Sequence, residues 1–392
     1  MSVIELTTFV VKPEKTAAML AARPGMLRAF REDRRGFVAA RLVRVADDTW
    51  LDFVEWTDES AWDESKAKSA NRPEIAEFFA TIDHLVSVRG GTRYDDAADG
   101  ARAVRTVPYG PEPSQVGELY LPEGAGPFPV VVLIHGGFWT AIFDRRQVTR
   151  LADDLVAQGY AVWNIEYRRI GEAGGGWPGT LQDVADAVDA VADLDPALDP
   201  GRVFVVGHSA GGHLAAWTAH RTALPAGSLG AEPRVTPIGA VSLAGVLDLV
   251  AADAIRLGSV LADPDRERPA GAPAPARPEM GPVVAAQAAD GMARLLLGGR
   301  AGEVPERYAV ASPAETADGG VPPVLVVHGT ADEIVPLSQG RSYAEAAAAK
   351  GVDVRLVEVP EANHFDVIDP DAPAWAAVRA WLAERLAARR SA

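Results

Sequence analysis

A chain of 392 residues, 48% apolar and 23% charged, has the composition of a globular protein and the length for two or three domains. Its net charge of −16 falls mostly beyond residue 97, where 24 basic residues stand against 37 acidic ones, compared with 14 and 17 before it; such a field repels nucleic acid. The absence of cysteine excludes disulfides, thiolate metal sites and cysteine nucleophiles, and no apolar run approaches the ~20 residues of a membrane span.

Met1 leads straight into SVIELTTFVV without a basic leader or a small-residue cleavage pattern, so no secretory signal is expected and a cytoplasmic location is. Residues 3 to 12 alternate as a strand does, and 13 to 31 are rich in helix formers, with Pro24-Gly25 expected to break that helix. Phe37 to Val45 and Thr49 to Trp56 read as two strands joined at Asp47-Asp48. Asp58 or Ser60 caps the next helical stretch, Pro73 restarts it, and His84 to Val88 is a fourth strand. The order βαββαβ is that of a ferredoxin-like α+β unit over residues 1–97.

That order, with IELTTFVVKPE, RGFVAARLVR and TWLDFVEWTD in the first three strands, resembles the antibiotic biosynthesis monooxygenase family across roughly residues 3 to 95. The resemblance implies a sheet-to-sheet homodimer, and in some members cofactor-free oxidation of aromatic polyketides. Trp50, Trp56, Asn71 and His84 are the side chains such chemistry would recruit. Packing is the stronger reading for tryptophans on half-buried strands, so dimerisation or ligand gathering is the expected role of this domain.

Residues 98–115 lack periodicity and are expected to be a linker. From 116 to 392 apolar strands alternate with amphipathic helices: strands at 115–121, 129–134, 160–167, 203–206, 238–249, 324–327 and 354–359, helices at 145–158 and 180–194. This alternation predicts a mostly parallel sheet with helices on both faces. Residues 264–282 hold six prolines in nineteen positions and are expected to be a mobile insertion or lid, with helical sequence resuming at 285–297.

The chemistry gathers at strand ends. VFVVGHSAGGHLAAW at 203–217 places Ser209 between a buried strand and a helix, on a turn whose tightness demands small neighbours, so Ser209 is the candidate nucleophile. His135-Gly136-Gly137 leaves the strand at 129–134. Backbone amides reach an oxyanion only where no side chain intervenes, so Gly136 and Gly137, with Ala210 after the nucleophile, are the candidate oxyanion donors, the Phe138 amide is an alternative to them, and His135 is expected to orient the loop. Asp332 follows the strand at 324–327 and His364 the strand at 354–359. A serine hydroxyl needs a base titrating near neutrality and a carboxylate to hold that base, which assigns His364 and Asp332, with Asp248 and Asp366 as the rival acids. His208, His213, His220 and His328 read as turn or packing residues; no metal-ligand spacing or cofactor motif is found.

With these residues in place, 116–389 resembles an α/β-hydrolase of the esterase and lipase type, and HGGFW with GHSAGGHLA is most similar to the kynurenine formamidase (arylformamidase) branch. PVLVVHGTADEIVP at 323–336 is shared with prolyl-oligopeptidase-like peptidases. The resemblance implies a cofactor-independent serine hydrolase acting on a small ester or aryl-formamide through an acyl-enzyme. An N-terminal oxygenase joined to a processing hydrolase, a peptidase-like enzyme and a non-catalytic binding protein are the rival readings.

Overall fold

The computed structural model describes residues 3–92, 104–141, 143–259 and 288–391. The chain divides into two compact units, Met1–Ala101 and Arg102–Ala392. The proline-rich stretch 264–282 lies outside the described residues.

In the first unit β1 (Val3–Val10), α1 (Thr16–Asp33), β2 (Phe37–Arg44), β3 (Thr49–Trp56), α2 (Glu59–Lys68), α3 (Pro73–Phe79) and β4 (His84–Thr92) follow the expected βαββαβ order. The strands form one antiparallel sheet in the order β2-β3-β1-β4. Period-two alternation sends Trp50, Val54 and Trp56 inward with Phe9, where Met19, Met26, Phe30 and Phe78 of the helices cover them. Ile4, Leu6, Leu51 and Phe53 share the other face and stay half-buried. Beneath the helices Arg23 grips Asp52 through two hydrogen bonds of 2.6 and 2.7 Å. Helix α1 does not break at Pro24 as expected. Pro24 and Leu20, whose carbonyl loses its helical partner, both lie on the exposed side, while Met19, Ala22, Met26 and Phe30 pack the other.

The second unit carries an eight-stranded sheet. Its strands are β5 (Arg105–Pro108), β6 (Val116–Tyr120), β7 (Phe128–Ile134), β8 (Ala161–Ile165), β9 (Leu198–His208), β10 (Gly239–Leu243), β11 (Val324–Gly329) and β12 (Val354–Val359). They lie in the order β12-β11-β10-β9-β7-β8-β6-β5, parallel from β12 to β8 and antiparallel at β6 and β5. Strand β5 corrects the linker expectation for 98–115: its four residues pair with β6 at the sheet edge, too short and too exposed to show a pattern in sequence. Continuous apolar runs suit strands buried on both faces. In β7, Val130, Val132 and Ile134 join one core while Val131 and Leu133 join the other, where Trp375, Val378, Trp381 and Leu382 of the last helix close over them. β10 is shorter than the expected 238–249. Ala244 turns to φ 49°, and Asp248 then caps a helix at Leu249–Ala254, so the rest of that apolar run is turn and helix. Among the described residues no helix is long and apolar enough to cross a membrane.

Candidate active site

Because β9, β10, β11 and β12 run parallel, their carboxyl ends open at one edge of the sheet, and the loops leaving them meet there. Ser209 takes φ 55° and ψ −118° at the end of β9, a region that costs a side-chain-bearing residue strain. The flanking glycines are dictated by contact. A Cβ on Gly207 would stand 2.0 Å from the Gly211 carbonyl oxygen, and one on Gly211 would stand 2.1 Å from that of Ile134. The turn is held by Ser209 N–H donating to Leu243 O at 2.8 Å and by His213 N–H donating to Ser209 O at 3.0 Å. Helix α4 (Ala210–His220) starts directly after it and points its first amides at the site.

Asp332 lies in the turn after β11 with a fully buried side chain. Its Oδ1 accepts the Ile334 and Val335 amides at 2.9 and 2.8 Å, and its Oδ2 accepts His364 Nδ1–H at 2.7 Å. His328 brings Nε2 to 3.3 Å from the same Oδ2 while also donating to Val335 O at 2.9 Å. Burial acts to raise the Asp332 pKa, but the hydrogen bonds from His328 and His364, the His364 charge and the Val335 amide outweigh it, holding the group well below the usual carboxylate range. The rival acids stand elsewhere: Asp248 accepts Ala251 N–H as a helix cap, and Asp366 accepts Asn363 N–H within its own loop.

His364, in the loop after β12, is 4% exposed. Asp332 holds its Nδ1, which leaves Nε2 for a reacting group. His208, the neighbour of Ser209, donates Nε2–H to the His364 carbonyl at 2.9 Å, and the two rings lie 4.7 Å apart. Burial, then the nearby His364, pushes the His208 pKa down to about 3. Phe365 packs against both rings and meets Phe143 edge to face at 6.2 Å.

The loop after β7 turns through three successive positive φ angles, 109° at Gly137, 50° at Phe138 and 59° at Trp139. Thr140 donates to Gly137 O through its amide at 2.9 Å and its hydroxyl at 2.8 Å. His135 Nδ1 donates to Gly136 O at 2.8 Å, and a planar trans peptide then sends the Gly137 N–H the opposite way. His135 is braced by Glu166 Oε1 at 2.7 Å and by the Tyr167 ring stacked at 4.5 Å. The structure corrects the expectation for Gly136. Its amide donates to Gln147 Oε1 at 2.6 Å and is spent inside the protein, while among the described residues the amides of Gly137 and Ala210 have no protein acceptor. Nothing in the spacing of Gln147 or Glu166 marks them in sequence, because both reach the loop from other elements.

Of the side chains singled out in the first unit, Trp56 packs among Phe30 and Phe37 and donates Nε1–H to Glu5 Oε2 at 3.1 Å, and Trp50 is likewise buried. His84 pairs with Asp83 on the surface, and Asn71 donates to Asp33. These contacts do not gather the four into a site. Among the described residues no group of three His, Cys, Asp or Glu could hold a metal ion.

Residues 2–80 match the antibiotic biosynthesis monooxygenase family. The chain is 28% identical to esterase LipC of Mycobacterium tuberculosis, over 68% of this chain and 60% of that protein. To esterase LipQ of the same organism it is also 28% identical, over 61% and 51%. It therefore spans about half to three-fifths of these relatives. A truncated carbohydrate esterase from gut microbiota shares the fold at a TM-score of 0.56 and 21% identity, over 71% of this chain and 94% of that one. Butyrate-bound esterase 2 of Thermogutta terrifontis does so at 0.52 and 22%, over 72% and 93%. Residues 131–367, more than half of the chain, match the alpha/beta hydrolase fold family, and the chain belongs to that family.

Proposed function

We propose that this protein is a serine esterase that cleaves a small carboxylic ester through an acyl-enzyme. The observation that carries the reading is the buried His364–Asp332 pair, 2.7 Å apart, at the same sheet edge as a serine on a positive-φ elbow. The Ser209 hydroxyl attacks the acyl carbon while its proton passes to His364 Nε2, and Asp332 stabilises the imidazolium. Oxyanion charge is received by the Gly137 and Ala210 amides. His364 then gives the proton to the leaving alcohol, and water activated by the same imidazole releases the acid and restores Ser209.

The esterases among the relatives support the ester reading. The HGGFW and GHSAGG stretches favour an aryl-formamide as a second substrate class, and parallel assays on acyl-chain-length esters and N-formyl aromatic amines decide between them. Ser209→Ala is expected to lower turnover by roughly 10⁶. A fluorophosphonate is expected to label the parent at Ser209; a variant within tenfold of the parent, or an unlabelled parent, defeats the reading. The first unit serves as a homodimerisation or ligand-gathering domain, a role supported by the half-buried apolar face of its sheet.

A further inference from the structure

His364 is fixed at two points. Asp332 takes its ring nitrogen, and His208 takes its backbone carbonyl at 2.9 Å. The rest of the loop is tied through other residues: Ala331 N–H to Ala362 O, Glu361 N–H to Thr330 Oγ1, Asn363 N–H to Asp366 Oδ2 and Phe365 N–H to Asn363 Oδ1. The carbonyl contact is therefore what joins the base directly to the nucleophile elbow, across the 156 residues that separate His208 from His364.

A carbonyl oxygen only accepts, so the proton of this contact sits on His208 Nε2. Among the described residues Nδ1 of His208 is buried without a hydrogen-bond partner, and it faces Gly136, whose added Cβ would stand 3.0 Å from it. Among the described residues no acceptor is there for a second proton. The imidazole consequently stays a single-proton donor across the range in which a catalytic histidine titrates, in keeping with its lowered pKa.

We propose that His208 is a positioning residue of fixed tautomer: its Nε2–H holds the His364 backbone so that the base stays aimed at Ser209, while the burial of Nδ1 away from any acceptor among the described residues disfavours a second proton and keeps the ring from acting as a base itself. The proposal rests on the esterase reading and adds a residue that touches neither substrate nor reacting atoms. Misplacing a reacting group by about an ångström costs on the order of 10²-fold in rate.

His208→Leu removes the donor and keeps a similar volume; His208→Gln keeps an N–H. With p-nitrophenyl butyrate as substrate, the leucine variant is expected to lose about 10²-fold in kcat with KM within threefold, and the glutamine variant to recover at least tenfold of that loss. The acid limb of the pH profile keeps its position in both, because the substitutions leave the His364–Asp332 pair in place. In the ¹⁵N-histidine-labelled parent, long-range ¹H–¹⁵N spectra are expected to show His208 protonated at Nε2 and bare at Nδ1 from pH 5 to 9. A leucine variant within threefold of the parent, equal losses in both variants, or a protonated Nδ1 overturns the proposal; if the leucine variant does not fold, the spectrum of the parent decides. Parent labelling at Ser209 by a fluorophosphonate separates failure here from failure of the esterase reading.

Discussion

Burial lowers the pKa of three histidines around the nucleophile helix, to about 3 at His208 and about 4 at His213 and His220. His213 shows why: Nε2–H donates to Ala311 O at 2.8 Å, and Nδ1 accepts Trp139 Nε1–H at 3.1 Å, so a second proton would break the second contact. In the unfolded chain these rings titrate near 6.5, so between that value and about 4 the unfolded state binds more protons. Their contribution to stability is complete above about pH 6.5 and is lost as pH falls towards 4. Each supplies up to ~1.4 kcal/mol per pH unit, about 4 for the three. Urea unfolding at pH 6 and pH 5 is expected to show this slope, and His213→Asn to reduce it by about 1.4; an unchanged slope would count against the burial argument. The placing of Ser209, Asp332 and His364 at strand ends was legible because each follows an apolar run of strand length, although the strand before His364 is only half-buried. What stayed hidden is contact made from a distance: Gln147 taking the Gly136 amide, His208 holding a carbonyl, and His328, four residues before Asp332, sharing its carboxylate.

The strand-turn-helix at 198–220 works because backbone meets backbone there. Gly211 lets α4 lie against the end of β7, where a methyl would stand 2.1 Å from Ile134 O and 2.5 Å from His135 O. Carbonyl oxygens of a central strand do not yield as a flexible side chain does, so Gly211→Ala must shift the helix and with it the Ala210 amide. Overpacking of this kind costs about 1–3 kcal/mol, and a displaced donor slows turnover on the order of 10²-fold. Gly320→Ala is the control, since its nearest atom beyond the neighbours is 3.6 Å away. Thermal melts and esterase kinetics on the pair are expected to separate sharply; equal behaviour would mean that the elbow tolerates a side chain. The sequence shows such elements by type better than by extent. Alternation of buried runs with helices revealed the parallel sheet, yet an apolar run beyond Leu243 reads alike whether it continues as strand or folds into a turn, and the helix through Pro24 survives by packing that no local signal contains.

Each unit has an apolar core of its own. The apolar cluster of the first unit, built on Phe9, Trp50, Trp56 and Phe78, contains no residue of the second, and the clusters that enclose the large sheet begin at Val107. Every group assigned a step in ester cleavage lies in Arg102–Ala392, whereas the half-exposed apolar sheet face lies in Met1–Ala101. Residues 102–392 expressed alone are therefore expected to fold and to turn over substrate within about threefold of the full chain, because the transition-state contacts are all retained. The expected losses are of another kind. If the first unit gathers ligand, KM rises while kcat stays; if it pairs copies, sedimentation shows a dimer for the full chain and a monomer for 102–392. Turnover slowed on the order of 10²-fold, as for a misplaced reacting group, in a fragment that still folds would instead place part of the catalytic apparatus in the first unit. The division of labour drawn from the two cores would then have to be abandoned.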